Sequence, residues 1–235
     1  MATKTLTGLQ GECALNNSLY FKIWDNEIFD IMHDQLCGVC PIIIKLVLHE
    51  YVIVQRRFST RHLNEAIKAF DYGYPESKNK PSSNFTGPML SKKEHCISQK
   101  AMQTWLLIRA LPFILAEKVN ADDEHMSLIL HLLRILEIIY APRIPMSLLP
   151  YLDAIIDDFF DIFDILIEEI NRINRMHHMS HYSRSIRKSG SLSKYDCMRF
   201  EAKHVEVRLR AQNVHNFINP PETVVRVCQS LQCSM

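Results

Sequence analysis

Apolar residues recur along this chain mostly at helical spacing. Ile42–Phe58 has the length and apolar content of a largely buried helix, and Pro41 suits its first position. Ser59 or Thr60 can cap the next helix, whose Leu63, Ile67 and Phe70 repeat at i, i+4 and i+7. Gly73 and Pro75 oppose its continuation, and residues 75–92, rich in Pro, Ser, Asn and Lys, read as an exposed, mobile loop. From about His95 the pattern turns helical again over Gln99–Ala110, with a kink expected at Pro112 and an end near Val119. Asp122 or Asp123 can cap a helix through Met126–Tyr140 that Pro142 and Pro145 end. The longest helix is expected from about Met146 to Ile173, with a wide apolar face that includes Leu152, Ile156, Phe159 and Phe163. Ser183–Ser193 is polar and basic and reads as a connector. In the helix expected to run to Gln212, Met198, Ala202, Val205 and Leu209 repeat as a buried stripe would. A last helix starts at Pro220 or Pro221 and runs to about Leu231. Residues 1–23 show little periodicity; Tyr20–Ile23 fits a short strand or an extended lead-in. No internal repeat or sustained heptad appears.

The fold class is therefore mainly α, in one large domain or two small ones for 235 residues. A content of 47% hydrophobic and 23% charged residues is too apolar for a disordered chain. Six glycines argue against a barrel of many tight turns and against a phosphate-cradling glycine loop. The formal net charge is only +1, but its distribution is uneven. Residues 145–171 hold seven acids and no Lys or Arg, whereas 172–210 hold ten bases against three acids, a net of +7. The acids read as a solvated helix face that can also pack beside the basic segment. Seven scattered cysteines fit a reducing compartment, the N-terminus lacks the apolar core of a signal peptide, and apolar runs are interrupted before about 18 residues. The chain thus reads as intracellular and soluble, with no membrane partner, and Asn84-Phe85-Thr86 as an unused sequon.

Four places carry candidate chemistry. In Cys197–His204, Glu201 shares a helix face with His204 and Arg208, at i, i+3 and i+7. Such a carboxylate can bind a metal ion or activate a water; the plainer reading pairs it with Arg208 or Lys203 on a solvated surface. Asp30 and His33 form D-x-x-H, one turn apart, where the acid can bind a divalent ion or orient the ring. Cys37-Gly38-Val39-Cys40 has zinc or redox spacing, but the second pair needed for a four-ligand site is missing, since Cys228 and Cys233 are spaced differently and distant. His177, His178 and His181 could ligate a metal, again without a fourth ligand at zinc spacing.

Several of these segments, in this order, resemble those of one family. Asp30-Ile31-Met32-His33-Asp34 with Gly38-Val39, Phe70-Asp71-Tyr72-Gly73-Tyr74-Pro75 with Asn79-Lys80-Pro81, His177-His178 with His181-Tyr182, and Cys197-Met198-Arg199-Phe200-Glu201-Ala202-Lys203-His204 resemble segments of transposase-like proteins of animal genomes, related to the CACTA class of DNA transposons. Ala211-Gln212-Asn213 with Asn216-Phe217 extends the resemblance, which covers roughly residues 10 to 230.

The resemblance implies the C-terminal part of a transposase with a ribonuclease-H-like core. There, three acids bind two Mg²⁺ or Mn²⁺ ions for phosphoryl transfer on DNA. Asp30 would be the second acid, beside His33, and Glu201 the third; Asp30 and Glu201 would be the metal ligands. Residues 1–40 would be a remnant of the catalytic core, 41–175 a helical insertion with the loop 75–92, and 176–235 a basic connector with C-terminal core helices. Arg184, Arg187, Lys188, Lys194, Arg199 and Lys203 would lie along phosphates. The departures point to a truncated or degenerate chain: Cys37 stands where a glutamate is expected, Asp196 where an aromatic is, and 29 residues before Asp30 are too few for the strands carrying the first aspartate. The expectation is a protein with no tightly bound metal and no DNA cleavage of its own. Its expected partners are DNA, held weakly and non-specifically, and other transposase chains, and by resemblance it would be nuclear. The alternatives are a retained helical module that binds DNA or protein, and a metal-dependent nuclease completed by another chain.

Overall fold

The polypeptide between Met32 and Val54 forms one continuous apolar helix, α1, and the first part of the fold is assembled around it. A computed structural model describes residues 17–20, 28–92, 97–120, 122–167, 171–213 and 218–232. Helix α1 is α-helical only over Cys40–His49; Met32–Val39 and Glu50–Val54 are π-helical, with i to i−5 bonding such as the Gln55 N–H to Glu50 O contact of 2.8 Å. Leu36, Val39, Cys40, Ile43, Ile44, Val47, Leu48 and Tyr51 are all shut off from solvent. α1 is long and apolar enough to cross a membrane, which the reading of apolar runs missed; here 61% of its most apolar stretch is buried inside the protein.

The remaining elements cover it. α2 (Thr60–Ala69) starts where Ser59 Oγ accepts the His62 N–H, as its sequence predicts, and buries Leu63 and Ile67. Phe70 ends that helix and stays half-buried, outside the expected stripe. Only the first part of the loop 75–92 is largely exposed. Asn64 clamps Phe85 through both backbone groups (2.8 and 2.9 Å), Gln99 clamps Ser82 likewise (2.8 Å each), and Phe85 and Leu90 are buried. A short α3 (Gly87–Ser91) forms behind the Thr86 cap. Side-chain amides tie down the backbone that composition alone marks as loose.

Helix α4 (Ala101–Leu115) contains Pro112, and α5 (Glu124–Ile139) is capped by Asp123. α6 (Leu149–Leu166) packs along α5, burying Leu152, Ile155, Ile156, Phe159 and Phe163 against Leu128, Leu132, Ile135 and Ile139. It stops earlier than expected. Ile167 leaves helical geometry, and Arg172 folds back to grip Asp164 through two bonds of 3.0 and 2.6 Å while lying over the Phe160 ring. α7 (Asn174–Met179) and α8 (Tyr182–Ser189) follow. The supposed polar connector is thus largely helical. Tyr182, Ser183, Ser185 and Ile186 are buried and its bases point outward.

The fold is mainly helical, with no strand among the described residues. It divides into two compact units, residues 1–195 and 196–235. Segments 1–40 and 41–175 both lie in the first unit, and 176–235 is shared between the two. The second unit pairs α9 (Met198–Asn213) with α10 (Pro220–Gln232). Its stripe is a correction to the sequence reading: Met198 is half-buried, but Ala202, Val205 and Leu209 are exposed. Helical periodicity marks a face, whereas burial needs neighbours, and among the described residues of its unit α9 packs on α10. The expected Tyr20–Ile23 element, the restart at His95 and residues 168–170 of the expected long helix lie partly or wholly outside the described residues.

Candidate functional site: an acid, imidazole and phenol network at the start of the first helix

The π-helical first turns of α1 place three consecutive polar residues, His33, Asp34 and Gln35, beside Asp30. Asp30 acts first on the backbone. Its Oδ1 accepts the Met32 N–H at 3.1 Å, its carbonyl accepts the Asp34 N–H at 3.0 Å, and its Oδ2 meets His33 Nδ1 in a close contact. The D-x-x-H spacing therefore does bring acid and imidazole together, on a partly exposed edge.

Asp34 faces the opposite way, into the protein, and is 6% exposed. Its Oδ1 lies 2.9 Å from His178 Nδ1, and its Oδ2 accepts the Tyr182 O–H at 3.2 Å. Gln35 Nε2 donates to the same Tyr182 oxygen at 3.0 Å, leaving Gln35 Oε1 buried with no hydrogen-bond partner among the described residues. Phe29 covers the group, its ring 4.9 Å from that of His178, 5.9 Å from His181 and 6.1 Å from Tyr182. Burial pushes the Asp34 carboxyl above the usual carboxylate range, against the lowering pull of His178 and Tyr182. Burial likewise drives the Tyr182 phenol far up, helped by the charge of Asp34. The result is a fixed chain from Gln35 through Tyr182 and Asp34 to His178. Its carboxylate orients the imidazole through Nδ1 and leaves Nε2 for other partners.

This arrangement does not by itself fit a two-ion centre. Asp30 is the ligand that the resemblance assigns to this unit, and both its oxygens already accept contacts within the first turn of α1. A Mg²⁺ or Mn²⁺ pair needs several carboxylates held around two ions about 3.5–4 Å apart. Glu201 belongs to the other unit, exposed near the start of α9, where its N–H bonds the Cys197 carbonyl at 2.9 Å. The C-x-x-C pair is split between two environments: Cys40 is fully buried and its thiol pushed up by burial, while Cys37 is exposed.

Compared with family models, curated proteins and solved structures, the chain matches none.

All six bases assigned to DNA are exposed. Arg184, Arg187 and Lys188 share one face of α8, at i, i+3 and i+4, and Lys194 sits in the short turn Leu192–Lys194. Arg199 and Lys203 share a stripe of α9 at i, i+4; Glu201, about 200° around from Arg199 at about 100° per residue, lies on another side. The acidic face of α6 does pack beside part of the basic segment. Asp153 and Asp157 line a cavity of about 400 Å³ together with Ser180, Ser183, Arg184 and Arg187. Neighbouring carboxylates thus offset some of the positive potential of the α8 arginines.

Sequence reasoning missed Asp34, Gln35 and Tyr182. Their partners lie up to 148 residues away, so no local spacing reveals them. The one available signal was two polar side chains at Asp34 and Gln35 between the apolar Met32, Leu36 and Val39.

Proposed function

We propose that this chain is a transposase-derived protein, degenerate in its catalytic chemistry, that does not cleave DNA on its own. It keeps a cationic surface able to hold DNA weakly and without sequence preference. The observation that carries the reading is Asp30: the one acid of the first unit that the resemblance assigns to a metal accepts the Met32 N–H and holds His33, with no second assigned carboxylate in that unit. With Glu201 it makes two carboxylates, too few for two hard, strongly hydrated ions. Mg²⁺ or Mn²⁺ belongs to the ancestral reaction in this reading. The exposed bases of α8 and α9 support phosphate contact, which requires no assembled core. Other transposase chains and a nuclear location belong to the same proposal through the resemblance.

The test is purified protein with supercoiled plasmid and Mg²⁺ or Mn²⁺, beside an Asp30→Ala, Glu201→Ala double variant. No nicking is expected from either. Nicking by the unmodified protein that disappears in the variant would restore a nuclease. DNA binding is expected at the non-specific level, with a Kd on the order of 10⁻⁴–10⁻⁶ M at physiological salt, weakening as salt rises. Replacing Arg199 and Lys203 with alanine should lower the salt slope by about two. Binding indifferent to salt would reject the phosphate contact.

A further inference from the structure

His177, in the last turn of α7, and His181, at the entry to α8, stand four residues apart across the turn that joins the helices. Their Nε2 atoms approach to 3.2 Å, with the rings edge-on and their centroids 4.8 Å apart. Two lone pairs facing each other repel, and two N–H groups clash. The contact is favourable only with one proton, or one cation, between the nitrogens. A transition ion bound to each imidazole at about 2.0–2.1 Å sets its two nitrogens about 2.9 Å apart at a right angle and about 3.3 Å apart at the tetrahedral angle. The observed separation falls between these limits.

The pair is held in place from both sides. The His181 ring stacks on Phe29, 15° from parallel, and the His177 carbonyl accepts both the Ser180 hydroxyl at 2.7 Å and the Ser180 N–H at 3.2 Å. His177 is exposed, so water can fill the remaining coordination positions. Imidazole nitrogen selects borderline ions over oxygen-seeking Mg²⁺.

We propose that His177 and His181 form a two-imidazole binding site for a divalent transition ion of the Zn²⁺, Ni²⁺ and Cu²⁺ class. The site shares no residue with the Asp30–His33 pair and is independent of the transposase reading. Each ring would ligate through its Nε2 lone pair. Two imidazoles four residues apart across this turn act as a chelate, and loss of either should cost about as much as loss of both.

Isothermal titration of the full chain with Ni²⁺ tests this, using His177→Ala, His181→Ala, the double variant and the exposed His62→Ala as a control. The expected result is a site with micromolar-range affinity, weakened at least tenfold by either single change, no further by the double change and not at all by the control. Because His177 is exposed, the His177→Ala protein should keep the helical circular dichroism of the parent, which separates lost ligation from lost folding. Absence of Ni²⁺ binding to the parent would overturn the proposal. So would undiminished binding to a folded His177→Ala protein.

Discussion

Replacing Asp34 in two ways separates what its shape contributes from what its charge costs. Asp34→Ala removes the acceptor of the Tyr182 hydroxyl, and even if Gln35 turns over to accept that hydroxyl its own amide then loses its partner, so one buried donor is stranded either way at a cost of about 1–3 kcal/mol. His178 is about a third exposed and can turn to water instead, while relief of the buried carboxylate works the other way. The balance is a loss of about 2 kcal/mol. Asp34→Asn keeps the shape and allows the chain to reverse. The new amide donates to the Tyr182 oxygen, and after a flip of the Gln35 side chain the Tyr182 hydroxyl donates to the Gln35 Oε1 atom that now has no partner. Its cost should stay within about 0.5 kcal/mol at neutral pH. The pH dependence has a definite sign. The folded Asp34 carboxyl titrates above its unfolded value, so the native state holds a proton that the unfolded state has released. That contribution is full below the unfolded pKa and is lost as pH rises through the folded one. The asparagine variant should therefore gain on the parent as pH rises from about 4 toward about 7. Urea unfolding of the three proteins across that range measures it; His178 and Asp30, the other titratable neighbours besides Tyr182, are common to all three. An asparagine variant as damaged as the alanine one at pH 7, or a gap between parent and asparagine variant that ignores pH, would refute the reasoning.

Two further perturbations bear on the fold. Asp123 accepts the Tyr51 hydroxyl at 2.5 Å, Arg57 at 2.7 Å and the N–H groups of His125 and Met126, so Asp123→Ala should cost about 3 kcal/mol by denaturant titration, combining a lost cap with a stranded phenol. Burial raises the Asp123 carboxyl but these donors outweigh it and hold it low, so its contribution is present above the unfolded value of about 3.9 and fades as pH falls through the folded one. An alanine Cβ at Gly38 would stand 2.4 Å from Arg175 Cδ, displacing a side chain whose Nη1 donates to the Cys37 carbonyl at 2.5 Å. Gly38→Ala should lose about 1 kcal/mol by thermal unfolding, and a gain would show that Arg175 relocates freely.

The helices with ordinary geometry were legible. Ser59 and Asp123 are capping residues at fixed offsets from an apolar repeat, and both helices begin where those residues say. α8 was hidden by its serines: only Tyr182 and Ile186 mark its apolar face, and a one-turn repeat is too short to stand out. The early end of α6 goes with Arg172 contacting Asp164 and Phe160, contacts that periodicity does not show. In the candidate site, Asp30 and His33 could be paired from spacing because they are one turn apart. Asp34, His178 and Tyr182 meet only once α7 and α8 have been packed against α1, and no local rule reaches that far.

The π turns of α1 bear on how this helix tolerates changes in length. An ordinary α-helix cannot lose a residue without rotating everything beyond the deletion by about 100°, which would turn Ile43, Val47 and Tyr51 out of the interior. A π turn carries one residue more than the α turn it replaces. Deleting a single residue between Met32 and Val39 can therefore be absorbed by tightening i to i−5 bonds into i to i−4 bonds, with Cys40–His49 keeping its orientation. The same slack sits at Glu50–Val54. A core helix that would otherwise be frozen in length thus has two joints where its reading frame against the surrounding helices can slip by one without loss of register.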